Sequence, residues 1–159
     1  MRYKFKDYHK SDILTNHLNM GGVNIKGERI DVTSLYFTRG DKPWIGVMGE
    51  YHFVRDNCGN WYRELCKMKA GGITVVAAYL FWIYHEEVEG EFDFTGDRDI
   101  RKFIKDAQRA GLDVMIRIGP WAHGECRNGG FPDWILKKTF KATCIFKLHL
   151  VLIYYNNII

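Results

Sequence analysis

The sequence has no unbroken apolar run of the roughly 20 residues that a membrane-spanning helix requires. Its longest candidate, CIFKLHLVLIYY (Cys144 to Tyr155), is interrupted by Lys147 and His149, so no membrane partner is expected. The opening MRYKFKDYHKSD is charged and lacks the apolar centre of a secretory signal, which predicts a cytoplasmic protein. The four cysteines, Cys58, Cys66, Cys126 and Cys144, contain no CxxC pair and read as reduced thiols. No G-x-G-x-x-G follows any strand-like run, which argues against a dinucleotide fold. Lysines and arginines are scattered, so the net charge of +4 leaves no basic face for nucleic acid. His123-Gly124-Glu125 is the H-x-E that opens a zinc deaminase signature, but the P-C-x-x-C needed to complete that metal site is missing. No metal and no cofactor is expected.

What the chain does have is aromatic residues, 15% of its 159 positions. Rings beyond the needs of a core often line a ligand site, although large core fillers give the same composition. The length suits one domain. The rings gather conspicuously in RIGPWAHGECRNGGFPDW (Arg117 to Trp134), where two prolines, two tryptophans, a histidine, a glutamate and a cysteine sit among four glycines.

The pattern along the chain is a run of strand–helix units. Residues 1 to 22 form a polar lead-in, and strand-like runs flank the turn at Arg39-Gly40-Asp41, which predicts a hairpin. Within the second run, Trp44 to Phe53 is the candidate core strand. NWYRELCKMKAGG places Trp61, Leu65 and Met68 on one helical face, with Asn60 as cap and Gly71 as stop. ITVVAAYLFW has no alternation, as expected of a strand covered on both faces, and LDVMIRI reads the same way. Between them TGDRDIRKFIKDAQRAG sets Ile100, Phe103, Ile104 and Ala107 on one stripe ending at Gly111. Pro132 opens a short helix in FPDWILKK. Repeated units of this kind imply an α/β fold with parallel strands and right-handed crossovers.

The unusual residues cluster after each strand: His52 after the first, Tyr79, Trp82, His85 and Glu86 around the end of the second, Trp121, His123, Gly124 and Glu125 after the third. Barrel enzymes build their active sites at that end, so a barrel fits better than a doubly wound sheet. Rings beside carboxylates and imidazoles suit a sugar, whose apolar faces stack on aromatics while its hydroxyls take directional hydrogen bonds. Glu125, flanked by glycine on one side, is the strongest candidate for binding hydroxyls; the alternative is a loop carboxylate paired with Arg127. Tyr79 is equally consistent with a core ring. His85-Glu86 reads better as a pair that fixes its loop, and His52 as a residue that orients its neighbours.

GEYHFVR (Gly49 to Arg55), YRELCKMKAGGITVVAAYLFWIYHEEVEGEFDFTGDRDI (Tyr62 to Ile100) and GLDVMIRIGPWAHGECRNGGFPDW (Gly111 to Trp134) closely resemble glycoside hydrolase family 35, the β-galactosidase family. The resemblance runs from about Ser34 to Lys138. It implies the first three units, left open, of a (β/α)8 TIM barrel, and retaining hydrolysis of terminal β-galactosides. It places Tyr79 beside the galactose, Glu125 on the sugar hydroxyls, and His123 and Gly124 along the same edge. His52, Trp82, His85, Glu86 and Trp121 become supporting residues. Ile83 replaces a usual Asn, Glu87 a usual Pro, Trp121 a usual Tyr and His123 a usual Cys, which marks a divergent branch.

Three segments are therefore expected. Residues 1–33 form the lead-in and the start of the hairpin, and 34–138 the amino-terminal part of the catalytic domain. Residues 139–159 form an atypical tail without glycine or acidic residues. The family's acid/base glutamate follows an asparagine after the fourth strand and its nucleophile follows the seventh strand. No Asn-Glu pair occurs here, so both catalytic carboxylates are expected beyond the end of this chain, which by itself is expected to be inactive. The expected partner is a carbohydrate, a β-galactoside; the alternative function is a non-catalytic carbohydrate-binding or interaction fragment. The pattern does not specify an oligomeric state.

Overall fold

The computed structural model describes residues 12–23 and 27–137; the expected tail, 139–159, lies outside the described residues. The chain divides into two compact units, with the boundary between Ile45 and Gly46.

The first unit carries a four-stranded antiparallel sheet in the order β1 (Gly22–Val23), β2 (Arg29–Val32), β3 (Phe37–Arg39), β4 (Lys42–Trp44). The predicted hairpin joins β3 to β4, with Arg39 paired to Lys42 across Gly40-Asp41. Gly40 has φ +57°, the left-handed conformation that such a two-residue turn requires. Part of the lead-in is tied down, because Thr15 bridges Thr33 and the Ser34 amide donates to the Leu14 carbonyl at 3.0 Å.

The second unit holds a parallel sheet in the order β5 (Met48–Glu50), β6 (Val75–Leu80), β7 (Asp113–Ile118). The run from Trp44 to Phe53 is thus not one core strand. Trp44 ends the antiparallel sheet, and β5 keeps only three residues, of which Met48 and Glu50 are exposed. The crossovers are α1 (Trp61–Ala70), between β5 and β6, and α3 (Ile100–Arg109), between β6 and β7. Two single-turn helices follow the second and third strands: α2 (Trp82–His85) and α4 (Asp133–Leu136).

Side-chain alternation explains how the sheet is covered. Val76, Ala78 and Leu80 of β6 point toward the helices and join Trp61, Leu65, Phe103 and Ala107 in the main core. Phe103 stacks on Phe53 at 4.8 Å and meets the Trp61 ring edge-on at 5.8 Å. The opposite face carries Glu50, Ala77 and Met115 in one register row and Tyr79 and Arg117 in the next. All six residues of β6 are buried, as its unbroken apolar run predicts. In β7 Asp113 and Met115 are exposed, which corrects the reading of that strand as covered on both faces. Among the described residues α1 and α3 supply a layer on one side only, and the sheet does not close.

Asn60 does not cap α1 through its side chain. Its amide donates to Asp56 at 3.0 Å and its carbonyl oxygen accepts from Arg63 at 3.2 Å. The α1 stop falls at Gly71 as expected, but the left-handed residue is the next one, Gly72, at φ +93°. At α3, Asp99 does cap, accepting from the Lys102 amide at 2.8 Å.

Candidate functional site

The parallel register places the ends of three strands side by side. Tyr79 of β6 pairs with Arg117 of β7, while Glu50 of β5 lies one row earlier. Arg117 reaches in both directions: it donates to the Tyr79 hydroxyl at 3.0 Å, lies 3.9 Å above that ring, and forms an ion pair with Glu50. The other Glu50 oxygen stands 2.9 Å from His52 Nε2. Burial is the main influence that lowers the His52 pKa below the usual histidine value; Arg55 reinforces it and Glu50 opposes it. The neutral ring then carries its proton on Nε2 and donates it to Glu50.

An aromatic stack continues this network. His52 lies nearly parallel to Tyr79 (5.9 Å) and Phe81 (5.4 Å), each at 18°. Gly124 packs against that stack. A Cβ built on it would stand 2.7 Å from Phe81 Cζ and 2.9 Å from His52 Cε1, so no side chain fits at this position. Arg55 fastens the same loop from the other side, donating to the carbonyls of Gly124 and Glu125, the latter at 3.3 Å. Its guanidinium lies 5.5 Å over the Phe81 ring. Glu125 itself has φ +50°, an uncommon conformation for a residue with a side chain, and it is exposed.

The outer part of the loop is an aromatic plate. Trp121 is 56% exposed, and its indole N–H faces His123 Nδ1 at 3.4 Å. One side of the indole lies on Gly129, whose hypothetical Cβ would fall 2.3 Å from the ring. Ala122, between Trp121 and His123, is held by its amide to the Gly129 carbonyl at 2.8 Å.

Five of the residues singled out in the sequence are therefore brought to one end of the sheet: His52, Tyr79, His123, Gly124 and Glu125, with Trp121 at the rim. Trp82, His85 and Glu86 go elsewhere, into a buried brace. Glu86 accepts from the Trp82 indole and from the Gly90 amide at 2.9 Å, while Trp134 donates to its carbonyl at 3.0 Å. His85 has no exposed surface and stacks on Phe94 at 5.0 Å. Its Nδ1 lies 3.0 Å from the Asp93 carbonyl, which can only accept, so Nδ1 carries the proton. Burial pushes its pKa down to about 4.

Glu50, Arg55 and Arg117 were not marked as site residues by sequence reasoning. Arg117 carried a usable signal, as the only basic residue in the strand run LDVMIRI. Its partners lie 38 and 67 positions away, at Tyr79 and Glu50, and only the strand register shows that they meet.

Comparison with known proteins gives a consistent answer. The family model for "Glycosyl hydrolases family 35" matches residues 36–144, more than half of the chain. Beta-galactosidase 7 of Oryza sativa subsp. japonica is 40% identical over 87 residues, covering 55% of this chain and 11% of that protein. A beta-galactosidase of Xanthomonas manihotis is 39% identical over 102 residues, 64% of this chain and 17% of its own length. An exo-beta-D-glucosaminidase of Pyrococcus horikoshii is 37% identical over 114 residues, 69% of this chain and 15% of the relative. The chain thus spans less than a fifth of the length of these relatives.

Proposed function

This chain belongs to glycosyl hydrolase family 35, and we propose that it forms the terminal-sugar side of a β-galactosidase site built on a (β/α)8 barrel. The observation that carries this reading is the constellation at the carboxyl ends of β5, β6 and β7. Arg117 links Glu50 to Tyr79, and Gly124 is seated on the His52–Phe81 stack so that Glu125 is held beside it. Three parallel strands with helical crossovers support the barrel reading, with 34–138 as the amino-terminal part of the catalytic domain.

In this reading Tyr79 borders the sugar ring, while Glu125 and His123 hydrogen-bond its hydroxyls. Arg117 keeps the Tyr79 hydroxyl oriented and Arg55 keeps the Glu125 loop in place. Retaining hydrolysis needs two further carboxylates about 5–5.5 Å apart. Glu50 does not suit that role, being already engaged by Arg117 and His52. The reacting pair is assigned to other segments of the whole protein.

The test is sugar binding by the chain, followed by saturation-transfer NMR with methyl β-D-galactopyranoside and its glucose epimer. Galactoside is expected to bind better than glucoside, with saturation reaching the sugar from aromatic protons. Glu125→Gln should weaken binding about ten- to hundredfold, as loss of a charge-assisted hydrogen bond does. Equal binding of the two epimers, or indifference to Glu125→Gln, would refute the assignment.

A further inference from the structure

Basic residues that are scattered along the sequence are gathered by the fold. The two crossover helices, α1 and α3, carry seven lysines and arginines against two acids, Glu64 and Asp106. That excess of five is larger than the net charge of +4 of the whole chain, so the charge imbalance sits on this layer. We propose that the outer face of α1 and α3 is a docking surface for an acidic polysaccharide, a linear polymer with carboxylates on its repeating sugars. The surface lies on the helical layer rather than at the strand ends, and the inference does not depend on the reading of the Tyr79–Glu125 site.

Geometry is the first argument. Arg101, Lys105 and Arg109 recur every four residues along α3, and all three are exposed. On a helix that spacing makes a row with about 6 Å between neighbours. Arg63 and Lys67 repeat the spacing on α1 and are also exposed. Arg109 joins the two rows, because its guanidinium lies 3.5 Å over the Tyr62 ring. The acids between them are recessed and shared. Glu64 accepts from both Arg63 and Lys67 at 2.9 Å. Asp106, 12% exposed, accepts from Lys102 at 2.6 Å and faces Arg109 at 3.9 Å. Each carboxylate thus serves two cations, and the layer stays positive.

The kind of polyanion follows from what accompanies the charge. Among the described residues, none of the exposed large apolar side chains stands on α1 or α3, so the face lacks the apolar anchors of a membrane-binding helix. Tyr62, the ring beside the rows, is covered by Arg109 and offers no open platform on which a base could stack. Two helices packed side by side are too broad for the major groove of duplex DNA, which admits one. The face offers cations in line, and guanidiniums match carboxylates with two parallel hydrogen bonds. Such a contact would hold a glycosidase close to sugars carried on the same polymer.

The experiment is calorimetric titration of the full chain with polygalacturonate, its methyl ester, neutral dextran, duplex DNA and phosphatidylserine vesicles. Polygalacturonate is expected to bind, the ester and dextran not, and binding should weaken as salt is raised through about 0.1 M. Arg101→Gln/Lys105→Gln/Arg109→Gln should lower the affinity about a hundredfold, as loss of three charges facing an anionic surface does. Binding of methyl β-D-galactopyranoside should not change. Arg101→Lys/Arg109→Lys keeps the charges and should keep most of the binding. The ester and salt comparisons use the parent chain and hold whatever the variants' stability. Absence of binding, indifference to esterification or to the triple substitution, or an equal loss in the charge-retaining variant would overturn the proposal. Tighter binding of DNA or of the vesicles would overturn it as well. A chain that binds polygalacturonate but no galactoside would count against the terminal-sugar reading alone.

Discussion

Replacing Gly124 with alanine introduces one methyl group at a place where the geometry fixes the consequence. The new Cβ would stand 2.7 and 2.9 Å from Phe81 Cζ and Cε1, and 2.9 Å from His52 Cε1. Ordinary contact begins near 3.4 Å, so a separation of about 0.7 Å must be found. Phe81 has no exposed surface and cannot retreat, and His52 is held by Glu50. The loop must move instead, against the Arg55 hydrogen bonds to the carbonyls of Gly124 and Glu125. Overpacking of this kind costs about 1–3 kcal/mol. If Glu125 binds the sugar as proposed, the displacement also carries its carboxylate away from the hydroxyls and weakens that contact by up to about 1.5–3 kcal/mol, ten- to hundredfold in affinity. Thermal unfolding followed by circular dichroism and a titration with methyl β-D-galactopyranoside would read the two effects separately. A Gly124→Ala protein with the parent's melting temperature and affinity would show that the loop is not seated on the stack.

Acid should destabilise the chain through His85. Its pKa in the fold, about 4, lies below the unfolded value of about 6.5. The stability of the neutral, buried ring is therefore complete above pH 6.5 and is lost as pH falls to about 4, roughly 3 kcal/mol in all. Melting curves between pH 7 and 4 should show this loss and His85→Phe should flatten it; parallel curves for parent and variant would disprove the assignment. Asp99→Ala removes the side-chain acceptor for the Lys102 amide and should cost about 1 kcal/mol, seen as a lower denaturant midpoint at unchanged slope. Phe103→Ala leaves a void between Phe53 and Trp61 and should cost about 3–5 kcal/mol, which a urea titration would resolve from a surface change of a few tenths.

The elements that could be read from the sequence were those whose pattern is local. The stripe of Ile100, Phe103, Ile104 and Ala107 has helical spacing, and α3 follows it, capped by Asp99 and ended near Gly111 at φ +76°. ITVVAAYLFW is apolar at every position, and β6 is buried along its length. Where the sequence misled, the cause was what stood across the chain. LDVMIRI looks as apolar as β6, but Met115 is 43% exposed, because helices cover only one side of the sheet among the described residues. The stretch around Trp44 reads as one strand because its apolar residues continue from Trp44 to Met48 through the switch of sheet, which only the single Pro43 and Gly46 punctuate. In the site, the glycine-rich loop announced itself by composition. The Glu50–Arg117–Tyr79 link could not, since an arginine on a strand has the same local pattern whether it meets a carboxylate, a ring or water.

The seating of Trp121 on Gly129 has a spectroscopic consequence. Of the five tryptophans, Trp61 and Trp82 are buried and Trp44 and Trp134 half-buried, whereas Trp121 is 56% exposed. Its indole is the one most open to collision with a dissolved quencher, and the backbone beneath it leaves the outer face as the side of approach. Iodide should therefore extinguish the red edge of the emission first, and that edge belongs to one residue at the rim of the loop. The chain carries its own optical label at the place where a ligand would arrive.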